Sequence, residues 1–449
     1  MTTSTRVLAR PAFARSGPIW PDGADALGLY VFLLMLLPSS LIVGAAGAAG
    51  QPSTLFAVVL LGWYLLARLH PDADLYRGRQ PVRAAAIGLC CSVLASYVSA
   101  NRVMMPATEL NAANRGLIFL AGWLGVMLVA ADGISDERRL ATLLRRAVAA
   151  AAIMAVIGIA EFATGTDLTK YVTIPGLAVH QQFTELMARA GLIRANSTAA
   201  QPLEFSAVMT MALPLALHYA RYSAAGRRRR LAWLQAALIV VAIPMAVSRS
   251  AIVALAVIAV MLFPTWPARL RRNICLVLLA SPVVLWLAAP GLVHGFAATF
   301  GQLGTDTSTT SRANALSFAA PFIAAHPWLG QGLATFDPQT YFYVDDQLVT
   351  SLIETGVIGL LAILAVFASG WYVTHGMRKM AADKETKDLA RALMASLTAA
   401  FICFVTFDVL SFTIASGFFF LIAGGAGAAW RIARSRLHAD VPAPRVTSR

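Results

Sequence analysis

Apolar residues run in long blocks along this chain, separated by short polar segments rich in arginine. Blocks of about 18–22 residues have the length an α-helix needs to cross a bilayer. They fall near 27–47, 53–69, 84–100, 116–131, 147–164, 203–221, 231–247, 250–265, 273–290, 349–374, 389–410 and 411–432. The pairs within 231–265 and 389–432 are closely coupled. In lipid every backbone N–H and C=O must be satisfied by protein, which a helix does within itself. The expected fold is therefore all-α, a polytopic membrane protein of about twelve transmembrane helices.

The connecting segments alternate in charge. One set holds Arg6/Arg10/Arg15, Arg77/Arg79/Arg83, Arg138/Arg139/Arg145/Arg146, Arg227 to Arg230, Arg269/Arg271/Arg272, Arg378/Lys379/Lys384/Lys387 and the tail from Arg431 to Arg449. The other set is short or poor in positive charge. Lys and Arg accumulate on the cytoplasmic side of membrane proteins, so the tails 1–26 and 433–449 are both expected in the cytoplasm. The first block ends in "GAAGAAG", small residues such as a signal peptidase site offers, but it is long enough to span and reads as a retained helix. Two segments on the outer side are long. One, 165–202, interrupts the first nine spans (27–290). The other, 291–348, precedes the last three (349–432). The second contains "GLVHGFAATFGQLG" and "RANALSFAAPFIAAHPWLGQGLATF", whose apolar residues recur at helical spacing. A large extracytoplasmic loop carrying amphipathic helices is expected there.

Composition agrees. The chain is 58% hydrophobic and 13% charged, with mean hydropathy +0.68, against about 25% charge in a soluble globule. The formal charge of +14 would suggest nucleic acid in a soluble protein. Here the arginines flank spans, and "GRRRRL" at 226–231 reads as an anchor on anionic lipid, so no nucleic-acid partner is expected. Cys90, Cys91, Cys275 and Cys403 all lie in apolar runs without metal-ligand spacing and read as core fillers. No P-loop or dinucleotide-binding glycine pattern is present. Neither a cofactor nor a metal is expected.

The unusual residues collect on the outer side. Arg194 lies in "LIRANSTAAQPLEF", Arg249 in "AVSRSAIVAL", Arg312 in "TSTTSRANALSF" and His326 in "HPWLGQG"; Asp345 and Asp346 open "DDQLVTSLIETGVIGLL", which also carries Glu354. Ionisable groups near membrane depth are costly and point to function. Arginine binds phosphate oxygens through a planar, permanently charged fork, and a carboxylate can serve as general base toward a sugar hydroxyl. Each has a plainer reading. Arg249 could snorkel from a turn, and Arg194 and Arg312 could be ordinary loop arginines. His326 could cap or pack a helix. Either aspartate could cap the helix starting at Gln347, and Glu354 could pair with a neighbouring span. Structural pairing is the expectation for Glu161, Glu204 and Asp408.

Taken in order, "RANSTAAQPLEFSAVMTMALPLAL" (194–217), "SRSAIVAL" (248–255), "SRANAL" (311–316), "HPWLGQGLATF" (326–336) and "DDQLVTSLIETGVIGLL" (345–361) resemble the O-antigen ligase and polymerase family of bacterial membrane glycosyltransferases. The likeness in order and spacing runs from about 190 to 375; the first five spans match only as generic hydrophobic helices. The resemblance implies a GT-C-like fold in the cytoplasmic membrane and a metal-independent, inverting transfer at its outer face. The donor would be a glycan on undecaprenyl pyrophosphate and the acceptor a hydroxyl of a glycan or glycolipid. Arg249 and Arg312 align with the family's pyrophosphate-binding arginines, and Arg194 takes a supporting place, as do His326 and Glu354. One departure matters. Where ligases to lipid A-core carry His-Asn, this chain has Asp345 followed by Asp346. The resemblance then makes Asp345 the base, with Asp346 next in line, and favours a polymerase over a ligase. The rival reading of the same features is a multi-pass transporter or flippase of lipid-linked glycan; a non-catalytic assembly partner is a third.

Overall fold

The computed structural model describes residues 22–71, 73, 75–102, 105–180, 187–189, 192–273, 275–276, 307–337, 341–342 and 344–439. The expected span 273–290, the first part of the large loop and both chain ends lie essentially outside these residues. The described fold is an all-α bundle: α1 (Gly23–Met35), α2 (Pro52–Leu69), α3 (Pro81–Ala100), α4 (Ala107–Asp132), α5 (Glu137–Thr164), α6 (Pro202–Tyr222), α7 (Arg227–Met245), α8 (Arg249–Leu262), α9 (Thr307–Ala325), α10 (Gln347–Met380), α11 (Lys384–Thr406) and α12 (Thr413–Ala439). Eight of them are long and apolar enough to cross a membrane. The protein is an all-α polytopic membrane protein.

Local chemistry explains where helices start. Proline, which needs no N–H partner in the first turn, opens α2, α3 and α6. Asp22, Asp136, Asp346 and Asp383 cap α1, α5, α10 and α11 by accepting backbone N–H groups. The coupled block 231–265 divides into α7 and α8 at residues 246–248, and 389–432 divides into α11 and α12 around 407–412.

The first block departs from expectation. Instead of spanning 27–47, α1 has 13 residues and ends at Met35, about 20 Å long and short of a bilayer core. Pro38 follows, and the chain then runs across the end of the bundle. Leu41 and Ile42 pair with Val179 and Ala178 in a two-residue antiparallel ribbon. The cysteines also depart in part: Cys403 is buried, but Cys91 and Cys275 are exposed on helix surfaces.

Small residues let the central helices approach closely. A Cβ on Gly125 would collide with the backbone of α2, one on Gly424 with Met127 of α4, and one on Gly116 with Leu333. Phe367, Phe404, Phe419, Phe420 and Trp123 interlock α4, α10, α11 and α12.

The inter-helix segments sort to two poles. At one, Arg139 pairs with Asp22 and Asp25, Arg146 with Asp25, Arg83 with Asp132 and Arg436 with Glu137. Near it, buried His218 and half-buried Arg221 both engage Asp388 (2.9 and 2.5 Å). This is the pole of the arginine-rich segments. The other pole gathers 36–51, 165–180, 187–189, 192–201, 246–248, 326–337, 341–342, 344–346 and 407–412, joined by Ser39 N–H to Thr198 O (2.8 Å) and Ala195 N–H to Met245 O (3.1 Å).

Candidate functional site

The second pole is built around a break in α10. Gly356 has φ 64° inside the helix, a left-handed conformation that glycine adopts without a steric cost. The interruption frees backbone groups on both sides, and the segment after α9 takes them up. Val357 and Ile358 donate to Pro327 and Trp328 (2.9 and 3.2 Å), while Gln331 and Gly332 donate to Ile353 and Glu354 carbonyls (3.1 and 2.8 Å). Gly330, with φ 67°, lies directly against the Glu354–Thr355 backbone. The motifs "HPWLGQG" and "ETGVIG" are thus two halves of one backbone knot. Irregular backbone at membrane depth is tolerated when protein satisfies it in this way.

Beside the knot lies a cavity of about 340 Å³, at the small end of the range for ligand sites. Its walls include Arg115, Phe119 and Trp123 of α4, His180, Leu333 to Asp337 apart from Thr335, Gln347 and Glu354 of α10, and Asp408, Leu410 and Ser411. Glu354 is buried. Its carboxylate accepts the N–H groups of Ala334 and Phe336, so it holds the loop wall in place. The sequence reading gave Glu161 and Glu204 structural partners, and both have them, though as backbone N–H groups. Glu161 takes Leu168, Asn196 and Ser197; Glu204 takes Ala200, Ile414 and Ala415.

Asp408 differs from that pattern. One oxygen accepts from the Ser411 hydroxyl, while Oδ1 is buried without a hydrogen bond among the described residues. Burial raises its pKa to about 6, the Ser411 hydrogen bond opposes this, and the neighbouring Asp345 carboxylate adds to the rise. Asp345 and Asp408 therefore sit close enough to sense each other's charge. Asp346 caps α10, its side chain accepting from Leu348 N–H (2.8 Å). Gln347 ties the same helix start to Leu410 N–H (2.6 Å).

Arg194 and Arg249 lie together at this pole. Arg194 is buried, and its Nε donates to Ala246 O (2.8 Å) in the turn that leads to Arg249. Arg194 and Arg249 are thus brought together on the α7–α8 turn. α8 packs along α11, whose end leads into Asp408. Arg312 lies on α9, and its side chain is outside the described residues. His326 ends α9 on the exposed surface and does not line the cavity. Backbone strain concentrates here as well. Among the described residues the non-glycine positive φ angles are at Ser197 (54°), Val247 (45°) and Ala334 (64°), beside Arg194, beside Arg249 and in the cavity wall. Left-handed conformations of such residues persist only where the surroundings enforce them, and they cluster at functional sites.

Arg115, His180 and Asp337 carried no signal in the sequence. They lie outside the matching motifs or between them, and only the packing of α4 and the outer segments brings them to the cavity. Among the described residues no three His, Cys, Asp or Glu side chains gather as metal ligands would.

Residues 234–364 match the model of the O-antigen ligase family. The matched segment runs from α7 through the first half of α10 and includes the whole backbone knot. It supports, independently of the motif reading, the resemblance to the O-antigen ligase and polymerase family. It stops short of Asp408 and excludes all of α1 to α6. No curated protein matches the chain.

Proposed function

We propose that this protein transfers or polymerises a glycan from undecaprenyl pyrophosphate onto an acceptor hydroxyl, with inversion, at the outer face of a bacterial cytoplasmic membrane. One observation carries this reading. The backbone knot of the O-antigen ligase match supplies one wall of a polar cavity, through Leu333 to Asp337 apart from Thr335, Gln347 and Glu354, at the pole opposite the arginine-rich segments. Asp345 lies beside that cavity's Asp408, and Arg194 and Arg249 lie at the same pole outside its lining. By the positive-inside rule that pole is extracytoplasmic and both termini are cytoplasmic.

The chemistry follows from the groups at hand. The sugar is already activated on lipid, so no nucleotide fold is needed. The leaving pyrophosphate gains charge as the glycosidic bond breaks. Arg249 and Arg312, with Arg194 behind them, neutralise that charge through fixed guanidinium groups. Asp345 takes the proton of the acceptor hydroxyl as its oxygen attacks the anomeric carbon. Asp408, next to it and lining the cavity, is the second carboxylate of the pair. A raised pKa in one of two neighbouring carboxylates is the usual mark of acid–base partners. With aspartate where ligases to lipid A-core have histidine, polymerisation is the favoured outcome.

The test is turnover by the purified protein, given undecaprenyl-pyrophosphate-linked oligosaccharide and a glycan acceptor. Release of undecaprenyl pyrophosphate with a lengthened glycan is expected, and Arg249→Lys, which keeps charge but loses the fork, should reduce it strongly. Movement of the intact lipid-linked glycan across a bilayer without bond cleavage would show a flippase instead. In a deletion strain, accumulated single repeat units identify a polymerase and accumulated long lipid-linked polymer a ligase.

A further inference from the structure

Arg115 stands on α4 eight residues after its first residue, Ala107, about 12 Å into the bundle from that end. Its level is fixed by the next residue, Gly116, which packs against the backbone of Leu333 in the knot. Arg115, Phe119 and Trp123 follow at i, i+4 and i+8, so one stripe of α4 forms a wall of the cavity. Arg115 is half-buried as a residue, and its side chain makes no hydrogen bond, ion pair or ring contact among the described residues. No carboxylate of the same cavity forms an ion pair with it among the described residues: Glu354 accepts from the backbone of Ala334 and Phe336, Asp408 accepts from Ser411, and Asp337 has an interaction of its own. Arg115 is not among the buried residues of α4, whose packing side is mostly glycine, alanine, leucine and valine with Trp123 and Met127. An uncompensated cation at membrane depth is costly; a bound anion removes the cost.

We propose that Arg115 is an anion-binding residue of the glycan site, holding the oxygens of a phosphate or carboxylate group carried by the lipid-linked glycan. The carboxylates supplied by the 333–337 loop and the 407–412 segment then face its sugar hydroxyls. A ligand that is anionic at one point and hydroxyl-rich beside it matches a cavity that is cationic on its α4 wall and acidic elsewhere. This inference rests on the transferase reading of the cavity. It adds a binding residue from the half of the chain that the family match does not reach.

The experiment uses the full-length protein in lipid nanodiscs and three probes: geranylgeranyl pyrophosphate, a glucuronate-containing disaccharide and neutral maltose. Affinities are compared for wild type, Arg115→Gln and Arg115→Lys, with melting temperature and size-exclusion profile as the check on folding. Arg115→Gln should weaken one anionic probe at least tenfold, Arg115→Lys should fall between, and maltose should be unaffected. Selective loss of geranylgeranyl pyrophosphate assigns the donor pyrophosphate; selective loss of the disaccharide assigns an acidic sugar. Unchanged affinity for both anionic probes in the variants overturns the role of Arg115 while leaving the transferase reading intact. Should the Gln variant fail to fold, the Lys variant decides alone by the same criterion. Failure of the wild type to bind either anionic probe overturns both readings.

Discussion

Gly330 and Gly356 each carry a positive φ and each lies against the backbone of the other's motif: Gly330 on Glu354 and Thr355, Gly356 on Trp328 and Leu329. Neither contact leaves room for a Cβ. This paired approach interrupts α10 and sets the loop wall of the cavity.

Alanine at either glycine should therefore be severely destabilising. The left-handed conformation alone costs about 1–2 kcal/mol with a side chain, and the backbone collision adds to it. Melting of detergent-solubilised Gly330→Ala and Gly356→Ala should show marked loss of stability or failure to accumulate. Gly62→Ala, in an exposed α2 position with open space around it, is the control and should be neutral or stabilising. Equal stability of all three variants would remove the knot from the argument.

Asp345→Asn and Asp346→Asn should separate chemistry from capping. Asn caps a helix about as well as Asp, so Asp346→Asn is expected to keep near-normal turnover. Loss of a general base costs about 10²–10⁴-fold, which is the expected effect of Asp345→Asn on turnover of a lipid-pyrophosphate glycan, with donor binding preserved. The opposite ranking would make Asp346 the base.

The Asp408 pKa, raised to about 6 by burial first and by Asp345 in addition, predicts a pH dependence of stability. The native state holds this proton more tightly than the unfolded chain, whose carboxylate titrates near 3.8. The contribution is therefore complete below pH 3.8 and is lost as pH rises through about 6. Comparing melting temperatures between pH 4 and 7, Asp408→Asn should flatten the difference, and Asp345→Asn should move the transition to lower pH. A wild-type profile superimposable on that of Asp408→Asn would contradict this.

At the arginine-rich pole, Asp388 neutralises Arg221 and holds His218 within the bundle. Asp388→Asn leaves Arg221 without its carboxylate in a largely buried setting, and removing one partner of such a pair costs about 3–5 kcal/mol. A strong drop in thermal stability is expected. Arg436→Ala, which breaks an exposed pair with Glu137, should cost about 1 kcal/mol or less.

Topology is open to labelling in a cysteine-free background. A cysteine at Ser308 on α9 should react with a membrane-impermeant reagent from outside, and one at Ser223, in the α6–α7 turn, should not. The reverse pattern would move the cavity to the cytoplasmic face.

Hydropathy and charge order are local properties of a chain, and they settled the class of this protein. Among the described residues most apolar blocks became helices, the first only in part, proline and aspartate started several of them, and the described arginine segments fell at one pole. The motifs from Arg194 to Glu354 were legible too, because they bear residues whose cost in a membrane needs a reason. Their roles were less so. Asp346 as cap, Glu354 as clasp on the Ala334–Phe336 loop and the early end of α1 before Pro38 follow from which backbone groups need partners, and that depends on neighbours remote in sequence. The gathering of Arg115, His180, Asp337 and Asp408 was invisible for the same reason. They come from α4, two outer segments and the α11–α12 turn, and nothing in their spacing links them. Only close helix packing on small residues, together with the break at Gly356, turns those separate positions into one cavity.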